Sequence, residues 1–512
     1  IEGKQSSTKI PWDKKAYIYA AKGHLDCLVY LHKRNLTESE RYLAKISCNT
    51  IACSNAAEGH LDCLKYLHEN KCPWNEEACA NAANGHLDCL IYLCENGCPW
   101  NEKAYTGAAK GHLDCLVHLH ERSLAESKNG CLWDEWVCTN AARGHLDCLK
   151  YLHENGCPWN KTTCSRAANG HLDCLIYLHE NGCPWNVRTC VNAAYGNLDC
   201  LKYLHENGCP WDEEACTSAA EGHLNCLRYL HENGCPWDEW ACANAAYGNL
   251  DCLKYLHKKG CPWNAIACLT AAQGNLDCLK YLHENGCPWD EEAYASAAEG
   301  HLDCLIYLHE NGCPWNEEAC ENAANGHLDC LKYIFEQSLA RNENCPWDKT
   351  AYESATQGHL ECLIYLRENG CPWSAAVCAN ALSGHLDCLK YLHENNCPRS
   401  GWECTNAAEG HLDCLKYLHE RSLAESERSL AESKNGYPWY LITCEHAARG
   451  HLECLIYLHE NGCPWDDLVY DAALGHEDCL EYLRENGCPF IPGNKTMFSH
   501  DMYHPEYMPY IE

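Results

Sequence analysis

The sequence has few basic residues and no long apolar run. Lys and Arg together number 39 against 72 Asp and Glu, and the formal net charge is -33. Such an acidic chain repels phosphates and anionic lipid headgroups, so we expect no nucleic-acid partner and no membrane partner. No apolar stretch reaches the roughly 18 to 20 residues that cross a bilayer, and residues 1–9 are too polar for the core of a signal peptide. We therefore expect an intracellular protein of the cytoplasm.

One motif is repeated through almost the whole chain. It reads Gly-His-Leu-Asp-Cys-Leu-Lys-Tyr-Leu-His-Glu-Asn-Gly-Cys-Pro-Trp with small changes. The Cys that follows Leu-Asp marks the register, at Cys27, Cys63, Cys89, Cys115, Cys148, Cys174, Cys200, Cys226, Cys252, Cys278, Cys304, Cys330, Cys362, Cys388, Cys414, Cys454 and Cys479. Eleven of the sixteen intervals are 26 residues. A fixed period of this kind indicates a repeat protein.

Each repeat predicts two short helices, called helix A and helix B. In the third repeat, Asn75 is suited to cap helix A, and Gly85 separates the small residues of helix A from helix B. Leu87, Leu90 and Leu93 then form one apolar stripe of helix B. Helices of about ten residues are marginal alone, so the stripes must be covered by the next repeat. The sequence thus predicts an all-α, helix-turn-helix solenoid of about 17 repeats.

The motif Ala-Ala-x-Gly-His-Leu-x-Cys-Leu-Lys-Tyr-Leu-x-Glu-Asn-Gly-Cys resembles the helical part of an ankyrin repeat. The usual ankyrin repeat has about 33 residues and a hairpin finger, so this shorter unit implies that the finger is reduced or absent. Similar short repeats are familiar from protists and their large DNA viruses, which implies the host cytoplasm if the protein is viral. The resemblance also implies a protein-interaction scaffold that binds its partner with helix A on a concave face.

The repeats extend from residue 11 to about 490, and residues 491–512 form a non-repeat tail or cap. Because the chain begins with Ile1 rather than Met, a localising or effector domain could lie upstream. The string Arg-Ser-Leu-Ala-Glu-Ser interrupts the period at residues 122–127 and twice within 421–433. We expect it to lengthen helix B by about two turns and about four turns respectively. These extensions either bind something or are tolerated solvated segments.

The 46 Cys fall into rows at positions where ankyrin repeats have buried residues, so we interpret them mainly as reduced core thiols. Zinc binding is an alternative because His86 and Cys89 have the spacing of a ligand pair. A disulfide ladder is another, and it requires an oxidising compartment. Asn197, Asn249 and Asn275 replace the His of the Gly-His row without compensation, which argues against zinc. We therefore expect no metal site.

Histidine forms two further rows, one in Gly-His and one in Leu-His. From the resemblance, we expect the Gly-His row to form hydrogen bonds across the turn. Protonation of all 31 His would bring the formal charge close to neutral, so a pH-dependent interaction is an alternative to purely structural rows.

The sequence has no Gly-rich phosphate loop. Cys, His and Asp lie together in every repeat, whereas an enzyme would have one such group with an activated nucleophile. We expect no enzyme and no cofactor. The leading expectation is a scaffold or adaptor for an unidentified protein partner. A structural protein that assembles through its repeat edges is the alternative, and the oligomeric state is left open.

A binding surface must vary between repeats, so the variable positions of helix A are the candidates for contact with a partner. One variable position is the residue before Gly-His or Gly-Asn, and the other follows the Cys of helix A. The aromatic area of Tyr195 and Tyr247 suits a binding hot spot. The predicted partner-binding residues are Arg143, Asn169, Tyr195, Glu221, Tyr247, Gln273, Thr139, Val191 and Leu269. Unselected surface variation is the competing interpretation.

Overall fold

The computed structural model describes residues 18–34, 50–125, 133–340, 349–371, 377, 380–397, 403–428 and 441–489. Within these residues the chain is all-helical and has no strand, so the predicted fold class, an α-helical repeat solenoid, is confirmed. The chain divides into two compact units, residues 1–263 and 264–512. The predicted tail, residues 491–512, lies outside the described residues.

The first unit contains helices A of repeats 2 to 9 and helices B of repeats 1 to 9. Its helices A are Thr50–Ala56, Glu76–Ala82, Glu102–Ala108, Glu135–Ala141, Lys161–Ala167, Val187–Ala194, Glu213–Ala220 and Glu239–Ala246. Its helices B are Leu25–Arg34, Leu61–Glu69, Leu87–Glu95, Leu113–Ala125, Leu146–Glu154, Leu172–Glu180, Leu198–Glu206, Leu224–Glu232 and Leu250–Lys258.

The second unit continues the same alternation from repeat 10 to repeat 17. Its described helices A are Ala265–Ala272, Glu291–Ala297, Glu317–Ala324, Lys349–Ala355, Glu403–Ala407, Leu441–Ala448 and Asp467–Ala472. Its helices B are Leu276–Glu284, Leu302–Glu310, Leu328–Ala340, Leu360–Glu368, Leu386–Glu394, Leu412–Arg428, Leu452–Glu460 and Glu477–Glu485. Every Cys that marked the register therefore lies in a helix B.

Within each unit, helix A packs on the helix B of its own repeat and on the next helix A, and helix B packs on the next helix B. Leu90 and Leu93 are fully buried in this interface, and so are Ala82 and Ala83 of helix A. The small alanines allow the two layers to approach closely. Apolar burial between successive repeats therefore stabilises the stack, as the short helices require.

Glycine ends most helices B in a left-handed turn, and Lys71 and Asn396 occupy that position in repeats 2 and 14. Gly97 has φ of 77°, and the amide of Cys98 donates to the carbonyl of Leu93 at 3.0 Å, which is a Schellman motif. At the start of helix A, Asn75 occupies the predicted cap position with an extended backbone, but its side chain makes no capping hydrogen bond. The equivalent Asn101 accepts from the amide of Lys103.

Four described helices B are longer than the nine-residue standard, and each precedes an interruption of the 26-residue period: Leu25–Arg34, Leu113–Ala125, Leu328–Ala340 and Leu412–Arg428. The helix of repeat 4 continues to Ala125, and that of repeat 15 continues to Arg428. These are gains of about one and about two turns within the described residues. The remainder of each interruption lies outside the described part of the chain.

Candidate nucleic-acid interface

In repeats 4 to 9, one face of helix A is exposed or half-buried apart from the buried Gly107, whereas its other faces bury Ala and Cys. Residues at the second helical position, four later and seven later lie on one side of a helix. We call this set the helix A stripe. In repeats 4 to 9 it consists of Lys103, Gly107 and Lys110; Trp136, Asn140 and Arg143; Thr162, Arg166 and Asn169; Arg188, Asn192 and Tyr195; Glu214, Ser218 and Glu221; and Trp240, Asn244 and Tyr247.

The stripe of repeats 4 to 7 is basic although the chain as a whole is acidic. It has no Asp or Glu, and its cations are Lys103, Lys110, Arg143, Arg166 and Arg188. The first turns of helix A in repeats 6 and 7 also have no acidic residue. The positive charge is therefore least compensated around these two repeats.

Carboxylates border this basic segment on both sides. Glu77 of repeat 3 pairs with Lys103 at 3.6 Å, and both side chains are exposed. In repeat 8 the stripe contains Glu214 and Glu221, which are exposed as well. Within the described repeats 3 to 8, an anionic ligand is consequently favoured between repeats 4 and 7.

A groove of about 260 Å³ lies between helices A of repeats 6 and 7. It is lined by Lys161, Thr162, Ser165, Arg166, Asn186, Arg188 and Asn192. Within the described part of the chain, no ion pair engages any of its three cations. Their hydrogen-bond donors are thus available to an anion from outside.

Buried hydroxyl groups connect the helices beneath the groove. The hydroxyls of Ser165 and Thr189 lie 3.1 Å apart, and those of Thr139 and Thr163 are separated by the same distance. The side-chain amide of Asn192 donates to the carbonyl of Ser165 at 2.8 Å. These contacts fix the spacing of the helices that present the basic side chains.

Large aromatic rings are exposed on the same stripe. Trp136 is 60% exposed and Tyr195 is 54% exposed. Tyr195 meets the ring of His223 edge-on, with centroids 4.6 Å apart, so one side of the tyrosine is supported. An exposed ring beside cations is suited to stacking with a planar base.

The structure separates the residues predicted to bind a partner into two groups. Arg143, Asn169, Tyr195, Glu221 and Tyr247 are exposed on the stripe of the first unit. In the second unit, helix A contains the half-buried Leu269 and its end contains the half-buried Gln273.

Thr139 and Val191 are buried, which corrects their place in the predicted surface. Thr139 donates to the Glu135 carbonyl at 2.7 Å and faces the next helix A rather than solvent. The stripe residues Trp136, Arg166 and Arg188 were missed. The signal for Arg166 and Arg188 was the loss of the usual Glu at the start of helix A in repeats 6 and 7.

The described cysteines of the rows are buried thiols, apart from the exposed Cys27 and the disulfide-bonded Cys72. Among the described residues, Cys72 is in a disulfide bond and the other cysteines are thiols. In repeat 5, the helix A thiol Cys138 pairs with Cys157, and this hydrogen bond together with burial raises the pKa of Cys138. The described residues contain no group of three or more Cys, His, Asp or Glu placed to hold a metal ion.

The Gly-His row does not form the expected hydrogen bonds across its turn. His171 stands at the start of helix B and makes no side-chain capping bond. A Cβ at Gly144 of the preceding repeat would lie 2.8 Å from its Nδ1. The histidines of this row therefore make packing contacts between repeats. Asn197 replaces the histidine in its repeat and makes the equivalent contact with Gly170.

The Leu-His row joins repeats through aromatic contacts. His153 stacks on Trp159 of the Cys-Pro-Trp corner at 3.9 Å, and its Nδ1 lies 2.9 Å from the hydroxyl of Tyr177 in the next repeat. The corner tryptophan is therefore partly covered within its own repeat.

No protein-family model matches the sequence, and no curated protein matches it. Two solved structures match in fold, each with a TM-score of 0.25 and 11% identity, over 94% of this chain and 90% of the other. Both are of the pentatricopeptide repeat protein PPR10 in complex with an 18-nt psaJ RNA element, and in one of them serine replaces cysteine at three positions of that protein. The likeness is that of α-helical repeat proteins.

The basic stripe of repeats 4 to 7 removes the basis of two expectations, a protein-interaction scaffold and the absence of a nucleic-acid partner, and both are corrected. Both matched structures contain RNA. The physical error lies in the use of the net charge. The value of -33 is a sum over 512 residues, whereas a phosphate responds mainly to charges within a Debye length of about 8 Å. No helix among the described residues is long and apolar enough to cross a membrane.

Proposed function

We propose that the protein binds single-stranded RNA along the helix A stripe of repeats 4 to 7. The observation that supports this most directly is the charge of that stripe, which has five cations and no carboxylate in four consecutive repeats. A basic strip in an otherwise acidic protein favours a polyanion along that strip.

Arg166 and Arg188 are the best candidates for phosphate contact. They line one groove together with Lys161, and no ion pair within the described residues occupies them. A guanidinium presents a planar fork of donors that matches phosphate oxygens. Amide and hydroxyl groups from Asn192 and Thr162 line the same groove and add neutral donors.

Trp136 and Tyr195 supply the base-stacking surface on either side of the groove. Their rings are exposed in repeats 5 and 7. Bases within a duplex are already stacked on each other, so exposed rings gain contact only with an unpaired strand. This favours single-stranded over double-stranded RNA, with no sequence preference assigned.

The test is fluorescence anisotropy with a labelled oligouridylate of about 12 nucleotides, which lies within the usual site sizes for single-strand binders. The variant Arg166→Glu/Arg188→Glu is compared with Lys202→Glu/Lys258→Glu, which changes the net charge equally on exposed positions of helix B. We expect the first variant to lose at least about tenfold in affinity and the second to bind nearly as the wild type does.

The salt dependence of binding provides a second measure. Each phosphate contact with a single strand contributes about 0.7 to the slope of log K against log salt concentration, so loss of two contacts lowers the slope by about 1.4. Equal losses in both variants would show that the overall charge, not the stripe, governs binding. Failure of the wild type to bind at low salt would overturn the proposal.

The proposed activity is binding and not catalysis. The stripe has the same kind of surface in successive repeats, whereas catalysis would need one activated nucleophile at a single site. We also propose that the helix pairs are shortened ankyrin-type repeats spanning 11–490, with 491–512 as a tail or cap; the small-residue helix A and the Gly-His turn support this.

The abundance of free thiols supports an intracellular, reducing compartment such as the cytoplasm. Reaction of the denatured protein with a thiol reagent immediately after cell lysis tests the last point.

A further inference from the structure

The positive charge of the basic segment is concentrated at the groove between repeats 6 and 7. Lys161, Arg166 and Arg188 all line this groove, and the other described residues that line it are Thr, Ser and Asn. The three stripe cations of repeats 4 and 5 are instead spread over two helices A. An internal RNA linkage carries one negative charge, so the groove has more positive charge than one such linkage neutralises.

The groove has room and hydrogen-bond donors for a phosphate group. Its volume of about 260 Å³ corresponds to roughly eight or nine water molecules, which is more than one phosphate group displaces. Arg166 is half-buried where it lines the groove, so a bound anion would compensate a charge that has partly left water. The side-chain amide of Asn192 uses one hydrogen for the carbonyl of Ser165, at 2.8 Å, and its second hydrogen remains as a donor.

The groove also lies at the end of the basic segment. In repeat 8, Glu214 and Glu221 occupy the first and last stripe positions, and both are exposed. Glu213 adds a further carboxylate to the first turn of that helix A. A strand that continued past repeat 7 would bring its phosphates toward these carboxylates, which is electrostatically unfavourable. The strand is therefore expected to end at the groove and to extend toward repeat 4.

Tyr195 provides a stacking surface for the terminal base. It follows Arg188 by seven residues, so the two side chains lie on the same face of one helix A. The ring of His223 in repeat 8 supports the tyrosine edge-on, with centroids 4.6 Å apart. One helix thus presents a cation at its start and an aromatic ring at its end to the same nucleotide.

We propose that the groove between repeats 6 and 7 binds a terminal phosphomonoester, so that the protein recognises a phosphorylated end of its RNA. This inference rests on the proposed RNA binding and assigns the place of the strand end on the stripe. A phosphomonoester carries a charge of about -1.5 to -2 at neutral pH and has three strong acceptor oxygens. Lys161, Arg166 and Arg188 match that charge and those oxygens. The chemistry is the same at a 5′ end and at a 3′ end.

The test compares oligouridylates of about 12 nucleotides that carry a fluorophore on an internal base. One has hydroxyl groups at both ends, one has a 5′-phosphate and one has a 3′-phosphate. We expect a phosphate at one of the two ends to tighten binding at least about tenfold in fluorescence anisotropy, because it adds charge-assisted hydrogen bonds. A methyl ester of that phosphate has the single charge of an internal linkage, so it should lose most of the gain.

Two variants locate the effect. Lys161→Gln should reduce the ratio of the affinities for phosphorylated and hydroxyl-ended RNA at least about threefold, because one charged contact with the monoester is lost. Lys110→Gln removes an exposed stripe cation of repeat 4, outside the groove. It should lower both affinities by the same factor and leave the ratio unchanged.

The outcomes separate this inference from the proposed function. Equal affinities of the wild type for all three ends would overturn the terminal-phosphate site and leave RNA binding along the stripe intact. A preference for a phosphorylated end that persists in Lys161→Gln would place the phosphate outside the groove, which also contradicts the inference. Binding of none of the oligouridylates at low salt would overturn both proposals.

Discussion

The Nδ1 atom of His179 lies 2.9 Å from the phenolic oxygen of Tyr203 in the following repeat. The imidazole also stacks on Trp185 of the corner between the two repeats, with ring centroids 3.9 Å apart. A single histidine thus connects helix B of one repeat with the corner and helix B of the next. In repeat proteins, such nearest-neighbour contacts set the coupling between adjacent units.

Replacing Tyr203 by Phe should weaken this coupling. The change removes the hydroxyl and leaves the half-buried His179 without its partner, at a cost of about 1 kcal/mol in the free energy of local opening. We expect faster amide hydrogen exchange in Leu172–Glu180 and Leu198–Glu206. Tyr195→Phe is the control in the same repeat, because that ring is exposed and its hydroxyl has no partner among the described residues. Equal exchange in both variants would refute a coupling role for the hydroxyl.

Two glycines of repeat 5 offer a matched test of the Gly-His contact. Gly144 has φ of 100° and Gly156 has φ of 80°, so alanine is strained at both. A Cβ at Gly144 would lie 2.8 Å from Nδ1 of His171, whereas one at Gly156 meets nothing within 4 Å. We expect Gly156→Ala to cost about 1 kcal/mol of unfolding free energy, and Gly144→Ala to cost more because the imidazole must move. Denaturant unfolding measures the difference, and equal midpoints would show that the histidine contact contributes nothing.

The fold was predictable from sequence because its pattern is strictly periodic. Gly97 marked the end of helix B, and Leu90 and Leu93 marked the buried face. These features depend on local backbone preference and on burial, both of which are encoded within one repeat. The length of the helix extensions stays a prediction, because the residues that follow Ala125 and Arg428 lie outside the described part of the chain.

The candidate site was only partly predictable, because it depends on relations between repeats. Thr139 varies along the chain like a surface residue, yet its hydroxyl lies against Thr163 of the next helix A. Variation between repeats therefore also reflects pairing of neighbouring helices. Net charge concealed the basic stripe in the same way, since Arg166 and Arg188 become neighbours only after folding.

The Gly-His row should make stability depend on pH. Burial, followed by neighbouring imidazoles, lowers the pKa of His112 and of His145. The groups acting on His112 are His145, His86 and Lys110, and the group acting on His145 is His171. Because the folded-state pKa lies below the unfolded value of about 6.5, the unfolded chain binds more protons between the two values. Stability is thus fully present above about pH 6.5 and is lost as the pH falls through this window.

Thermal unfolding at about pH 7.5 and about pH 5.5 measures this effect. We expect a lower midpoint at the acidic pH in the wild type. His145→Asn copies the substitution found naturally at Asn197, so it should fold and show a smaller difference between the two midpoints. A midpoint that rises on acidification, or a variant with the full wild-type shift, would contradict the burial of neutral imidazole as the cause.

Two tyrosines of the helix A stripe test where the proposed RNA-binding segment ends along the repeats. Tyr195→Ala should weaken oligouridylate binding by about 1 to 3 kcal/mol, or about 5- to 150-fold, because one base loses its stacking partner. The salt slope should stay unchanged, since no phosphate contact is removed, and this distinguishes the variant from Arg166→Glu/Arg188→Glu. Tyr247 occupies the same stripe position two repeats later and is 63% exposed, but it lies beyond the carboxylates of Glu214 and Glu221. Tyr247→Ala should therefore bind as the wild type does, and an equal loss in the two tyrosine variants would place the strand across repeat 8, contrary to the proposed boundary.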